Sequence, residues 1–147
     1  MTLRVVIDTN IWIRILLKGR ITLPILEAFN ENKFQLVMSQ ILLDEFNEVW
    51  NRPRLKKHID INQAIKLEQQ LKNRSLWIQP ITIPPHCRDT KDLPVLATAI
   101  DGKAKIIVSG DDDLRGDEIL RKAMELYSIE LLGVNSFLNY LQNDHGY

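Results

Sequence analysis

Short apolar runs alternate with helical stretches along the whole chain, and this alternation fixes the class of fold. Leu3-Arg4-Val5-Val6-Ile7 reads as a first strand, Phe34 to Met38 as a second and Leu76 to Gln79 as a third. Lys105 to Ser109 follows as a fourth and Ile129 to Leu132 as a short fifth. Helical patterns stand between them, the connections are short, and there is no repeat or low-complexity tract. Such a pattern predicts βαβ units and a mostly parallel sheet in an α/β fold.

The helix boundaries follow from cap and breaker chemistry. Thr9-Asn10 suit the start of a helix from about Ile11 to Lys18, with Gly19 fitted to a left-handed residue after it. Leu23-Pro24 opens a helix to about Asn32. Ser39 is a good N-cap for one that continues to Trp50 and is ended by Pro53. Asp60 or Asn62 starts a helix through about Lys72, and Asp92 or Lys91 begins one over Val95 to Ile100 that Gly102 ends. Asp117 to Tyr127 is helical, and Ser136 caps a last helix through Leu141.

With 147 residues, the chain is predicted to form one domain spanning 1–147, large enough to bury a core unaided. Cys87 is the only cysteine, which rules out an intramolecular disulfide. His58, His86 and His145 lie too far apart for zinc-ligand spacing. Arg4 and Asp8 interrupt the first apolar run, and Ile11 to Leu17 is short and carries Arg14, so no signal peptide or membrane span is expected and the protein reads as cytoplasmic. Nineteen basic residues balance nineteen acidic ones. The chain therefore lacks the broad positive field of a non-specific nucleic-acid binder, and any polyanion contact must be local or mediated by metal.

Four acidic residues fall where a parallel sheet would gather them: Asp8 and Asp111, each at or just past a strand end, Glu45 after the second strand, and Asp92 before the fourth. Open α/β sheets build their sites at the C-terminal ends of their strands. Carboxylates that converge from separate elements repel one another unless a cation lies between them, which suggests a hard divalent metal held by oxygen ligands. On a helical wheel at about 100° per residue from Ile41, the apolar Leu42, Phe46, Val49 and Trp50 span an arc of about 180° with Glu45 inside it, while Asp44 and Glu48 fall outside. Blander explanations stand beside each acid: an ion pair for Glu45, capping for Asp8 and Asp92, a solvated turn for Asp111 beside Asp112 and Asp113.

These residues resemble the PIN domain family of metal-dependent nucleases. The resemblance rests on a strand ending in Asp8-Thr9-Asn10, a Ser-initiated helix with Glu six positions later (Ser39, Glu45) and an Asp-initiated, alanine-bearing helix (Asp92 with Ala97 and Ala99). A strand ending in Ser-x-Asp-x-Asp (Ser109, Asp111, Asp113) completes it. It implies a three-layer α/β/α sandwich whose five-stranded sheet has the order 3-2-1-4-5, with Asp8 and Asp111 side by side. It further implies hydrolysis of RNA by water activated on one or two Mg²⁺ or Mn²⁺ ions. Asp8, Glu45, Asp92 and Asp111 would be catalytic ligands; Asn10, Ser109, Asp113 and Asp89 would support them. The pattern looks most like prokaryotic toxins of toxin-antitoxin pairs, implying an antitoxin protein as partner and allowing a homodimer.

The basic run Arg52, Arg54, Lys56 and Lys57, just after the Glu45 helix, is expected to contact RNA phosphates. Trp12, Trp50 and Trp77 read as core residues, with stacking of an unpaired base on one of them as the alternative, and Cys87 reads as structural. A haloacid-dehalogenase-like phosphatase also starts from Asp at a strand end, but it wants a second Asp where Asn10 stands and leaves Glu45 idle. An inactive PIN-like binding module is the non-enzymatic alternative.

Overall fold

In the computed structural model, which describes residues 2–85 and 89–144, five parallel strands form one sheet in the order β3-β2-β1-β4-β5. These are β1 (Arg4–Ile7), β2 (Gln35–Met38), β3 (Leu76–Trp77), β4 (Ile106–Val108) and β5 (Glu130–Leu132). The helices are α1 (Thr9–Leu16), α2 (Leu23–Asn30), α3 (Gln40–Trp50), α4 (Pro53–Lys56), α5 (Ile61–Arg74), α6 (Leu93–Asp101), α7 (Asp112–Arg115), α8 (Glu118–Glu125) and α9 (Val134–Asp144).

Successive strand residues point to opposite faces of a sheet. Val5 and Val6 are both fully buried, as are Ile106 and Ile107 to within 1%. Both faces of the central strands are therefore covered, and the architecture is helices, sheet, helices. On one side of this core Trp12 meets Phe29 edge-on at 5.6 Å, and Phe34 meets Phe137 edge-on at 5.3 Å. These contacts tie α1, α2 and α9 to the chain entering β2, each adding about 0.5–1.5 kcal/mol beyond burial. Among the described residues, no helix is long and apolar enough to cross a membrane.

Several local expectations shift. The helix after β1 ends at Leu16, so the left-handed residue is Lys18 (φ 63°) and not Gly19. What Gly19 supplies is space: a Cβ there would stand 3.0 Å from Thr22 Oγ1 and 3.1 Å from the Arg14 carbonyl. Gly102, at an ordinary φ of −81°, lets the end of α6 approach β2, since a Cβ would meet Val37 Cγ1 at 2.4 Å. Pro53 does not end α3 but opens α4, where its missing N–H is no loss. Ser136 lies inside α9, which starts at Val134. The short α7 was not foreseen, because four residues are too few to show a helical period. Trp12 and Trp50 are core residues, 1% and 7% exposed; Trp77 is not, at 37%, because β3 is a two-residue edge strand. Cys87 and its neighbour His86 lie outside the described residues.

Candidate metal centre

β1 and β4 end in register, Ile7 opposite Val108, so Asp8 and Ser109 leave the sheet side by side. The Asp8 N–H donates to the Val108 carbonyl at 2.9 Å, which carries the ladder one residue past the strand. Ser109 Oγ–H then donates to Asp8 Oδ2 at 3.2 Å and accepts from the Asp111 N–H at 3.0 Å. One buried serine thus orients the Asp8 carboxylate and fixes the turn that presents Asp111. Asp8 is 5% exposed and occupies the N-cap position of α1, yet its side chain makes no capping hydrogen bond. The Asn10 N–H favours the charged carboxylate without completing a capping hydrogen bond, so capping is at most a weak part of its role.

Glu45 is half-buried on α3, whereas Asp44 and Glu48 are exposed, as the helical periodicity requires. Asp44 accepts from Gln40 Nε2 at 2.8 Å and Glu48 pairs with Arg52 at 3.1 Å. Glu45 has no such partner among the described residues. The two acids before α6 are also distinguished. Asp89 is exposed and accepts from the Lys91 N–H at 3.0 Å, capping the single 3-10 turn Thr90–Asp92. Asp92 is half-buried at the N-cap position of α6 and makes no cap bond.

The electrostatics join these groups. Partial burial, followed by the charges of Asp8, Asp111, Asp89 and Glu45, pushes the Asp92 carboxyl up to about 7. Burial also raises Asp8, with Glu45 and Asp111 adding to the rise and hydrogen bonds from Ser109 and the Asn10 N–H opposing it. The acids gathered from β1, α3, α6 and the end of β4 therefore share one neighbourhood, in which negative charge is disfavoured without a cation. Their donors are all carboxylate oxygens, a set that suits a hard divalent ion. Among the described residues, however, no three acidic, histidine or cysteine side chains stand close enough to hold one as they are placed. The chemistry fits, while the side chains do not form a closed cage.

The hydroxyl of Ser39 does not cap α3, although it occupies the N-cap position. It lies 2.8 Å from Thr98 Oγ1, both residues being fully buried, and Thr98 in turn donates to the Pro94 carbonyl at 2.7 Å. Ser39 is therefore the donor to Thr98, and the pair pins the start of the Glu45 helix to the Asp92 helix. Thr98→Val is expected to strand the Ser39 hydroxyl and lower stability by about 1–3 kcal/mol. Urea unfolding should show a lower midpoint at an unchanged slope. Adding Ser39→Ala, which removes the stranded partner, should recover part of the loss.

Asn10 is exposed on α1. One turn later Arg14, read in the sequence only as an interruption of an apolar run, lies over Gly110, where a Cβ would fall 2.4 Å from Arg14 Nη1. Its spacing of four from Asn10 is the one local sign that it would face this end of the sheet. Asp113 is in α7, with its side chain outside the described residues. The basic run is not brought among the carboxylates. It sits past the C-terminal end of α3, where Arg52 is engaged with Glu48 and Lys56 Nζ lies 5.9 Å from the Trp50 ring centroid.

Two comparisons bear on this arrangement. A family model described as PIN domain matches residues 4–113, a span that holds Asp8, Glu45, Asp92 and Asp111. The uncharacterized protein MJ1680 of Methanocaldococcus jannaschii is 31% identical over 131 residues, covering 88% of this chain and 84% of its own length.

Proposed function

This chain belongs to the PIN domain family, whose members point to nuclease activity, and on that premise we propose that it is a divalent-metal-dependent endoribonuclease that hydrolyses RNA phosphodiester bonds. The observation that carries the reading is that Asp8 and Asp92 are both raised by burial and by nearby acidic charge, Asp8 by Glu45 and Asp111, and Asp92 by Asp8, Asp111, Asp89 and Glu45. The four would hold the cation, Mg²⁺ or Mn²⁺. When bound, the ion supplies Lewis-acid chemistry, polarising the phosphodiester and making water nucleophilic at neutral pH.

The chain's own residues do the rest. Ser109 holds Asp8 in one orientation, and Thr98, through Ser39, fixes the spacing of the helices that bear Glu45 and Asp92. Asn10, which is exposed, would orient the carboxylates or position the substrate strand. Asp92 holds a proton near neutrality that cation binding must displace, so metal affinity should rise with pH through that range. The direct test is incubation of the purified protein with single-stranded RNA and Mn²⁺ or Mg²⁺, with and without chelator. Cleavage that chelator abolishes is the supporting result. Release of phosphate from generic phosphomonoesters would point to a phosphatase instead, and failure to bind Mn²⁺ in calorimetry would leave a binding scaffold.

The biological role we propose is the toxin of a prokaryotic toxin-antitoxin pair, acting in the cytoplasm and held by an antitoxin protein, with self-association into a homodimer possible on the same scheme. A small neighbouring gene for a DNA-binding protein whose product co-purifies with this chain would support the pairing. Arg52, Arg54, Lys56 and Lys57 are proposed to touch RNA backbone beyond the carboxylates. Neutralising Lys56 and Lys57 should weaken RNA binding and make its salt dependence shallower, by about 0.7 in slope for each lost contact on a single strand. An unchanged slope would remove this run from the interface.

A further inference from the structure

We infer that the cleft beside the carboxylates, walled by Trp77, Ile41 and Pro94, is a subsite for an unpaired base of the RNA strand next to the phosphodiester being cut. The inference rests on the ribonuclease reading and names how that site takes its substrate. The cleft has a volume of about 560 Å³. Its walls come from elements that meet at the C-terminal end of the sheet. Trp77 ends β3 in register with Met38, the residue before Ser39; Ile41 is in the first turn of α3; Leu93 and Pro94 directly follow Asp92. Ile41 lies one helical turn before Glu45, on the same face. The carboxylates do not line the cleft; Asp92 directly precedes two of its wall residues in the chain, and Glu45 follows a third by one helical turn.

The opposite wall is held in place. Asp101, the last residue of α6, accepts from the Ile81 N–H at 2.6 Å, from the Thr82 N–H at 2.9 Å and from the Thr82 hydroxyl. The Trp77 ring is held as well, because its indole N–H donates to the Lys72 carbonyl at 2.8 Å. One aromatic ring, 37% exposed, therefore stands in a fixed position with Ile41 at 52% and Ile81 at 86% around it. Apolar surface left open beside a charged centre favours an occupant with flat apolar faces.

Among the described residues the lining contains no charged side chain, while Gln40, Gln79 and Thr82 offer polar atoms. A phosphate would find no cation among these residues, whereas a base finds an aromatic ring and groups for its edge. The volume exceeds that of a single ring system, leaving room for the attached ribose. A strand whose phosphodiester lies at Asp8 and Asp92 must carry its neighbouring base to one side or the other, and this side presents the tryptophan.

The test uses a single-stranded RNA with a defined cut site and the same RNA with an abasic residue beside the cut. These are assayed with wild type, Trp77→Ala, Trp77→Phe and Ile41→Ala. Trp77→Ala is expected to raise KM by about tenfold or more, with a smaller change in kcat and most of the loss restored in Trp77→Phe. Removing the base should harm wild type as much as losing the ring does, and should add little to Trp77→Ala. In chelator, where no cutting occurs, RNA should shield the emission of Trp77 from acrylamide; Trp12 and Trp50 are already buried. Ile41 is exposed, so Ile41→Ala should keep the fold and still raise KM should Trp77→Ala fail to fold.

Cleavage at wild-type KM by folded Trp77→Ala or Ile41→Ala, or an abasic penalty undiminished in Trp77→Ala, would overturn the subsite while leaving the ribonuclease intact. A wild-type protein that neither binds nor cuts RNA would remove both. Shielding of Trp77 by a partner protein but not by RNA would assign the cleft to protein recognition and overturn the base.

Discussion

Asp8→Asn is expected to abolish RNA cleavage without lowering metal-free stability. The loss should be at least about a hundredfold, because even groups that only support a metal ligand are worth about ten- to a hundredfold. The stability result follows from the position of the carboxylate. Asp8 is buried, feels Glu45 and Asp111, and its contact with the Asn10 N–H falls short of a full capping bond, a contact that an asparagine oxygen would keep. Replacing its charge with an amide relieves repulsion, and the Ser109 hydroxyl can still donate to the amide oxygen. In chelator the variant should melt at or above the wild-type temperature. Saturating Mn²⁺ should stabilise the wild type by about 2.7 kcal/mol at a hundredfold excess over Kd, and the variant much less. A clear drop in the chelator melting temperature on mutation, with no Mn²⁺ shift in either protein, would mean that Asp8 serves the core as part of an ion pair.

The metal-free protein should also lose stability as pH rises from about 4 to about 7, the reverse of ordinary acid denaturation. Asp92 has an ordinary value of 3.8 and is pushed up to about 7 in the fold. A carboxyl that binds its proton more tightly when folded contributes stability that is fully present below 3.8 and is lost as pH rises through about 7. Asp8 shifts in the same direction. Asp101 shifts the other way, held low by the Thr82 and Ile81 hydrogen bonds, so its contribution falls away only in acid below this window. Because Asp92 is half in water, screening leaves on the order of 1–2 kcal/mol of the effect, or roughly 3–6 °C in Tm. Thermal melts in chelator across this range should show the decline. Asp92→Asn should flatten it, and Mn²⁺ should reverse it, since the ion binds the deprotonated form. A wild-type profile that is flat in chelator would show that neither burial nor the neighbouring charges hold a proton on Asp92.

Much of this was legible before the fold was known, for a reason that particular elements make plain. Val5 to Ile7 and Ile106 to Val108 are buried on both faces, so each had to be a continuous apolar run, and the polar residue that stops it had to emerge at the strand end. Glu45 was separable from Asp44 and Glu48 because a helix writes its buried side every third or fourth residue. What escaped depended on partners far away in sequence. The Ser39 hydroxyl looks like a cap, and only the fold brings Thr98 to it from 59 residues away. Arg14 over Gly110 and the exposure of Trp77 have the same character: the first needs α1 laid beside the end of β4, the second needs β3 to be an edge strand of two residues. Trp77 read as core because most tryptophans are, and nothing local shows that its sheet stops there.

The pairing of β1 with β4 also sets a schedule. Ser109 and Asp8 are joined across 101 positions of the chain. During synthesis β1, β2 and the Glu45 helix emerge early, but the first strand must wait with one edge unpaired until β4 arrives. A nascent chain holds Asp8 without the serine that orients it and without Asp111, so no partial product can carry a complete site. Closing so long a loop is slow relative to local helix formation. The interval between making the first acidic residue and bringing Ser109 and Asp111 beside it is therefore a built-in delay, in which the activity proposed above would be absent from the chain on its ribosome.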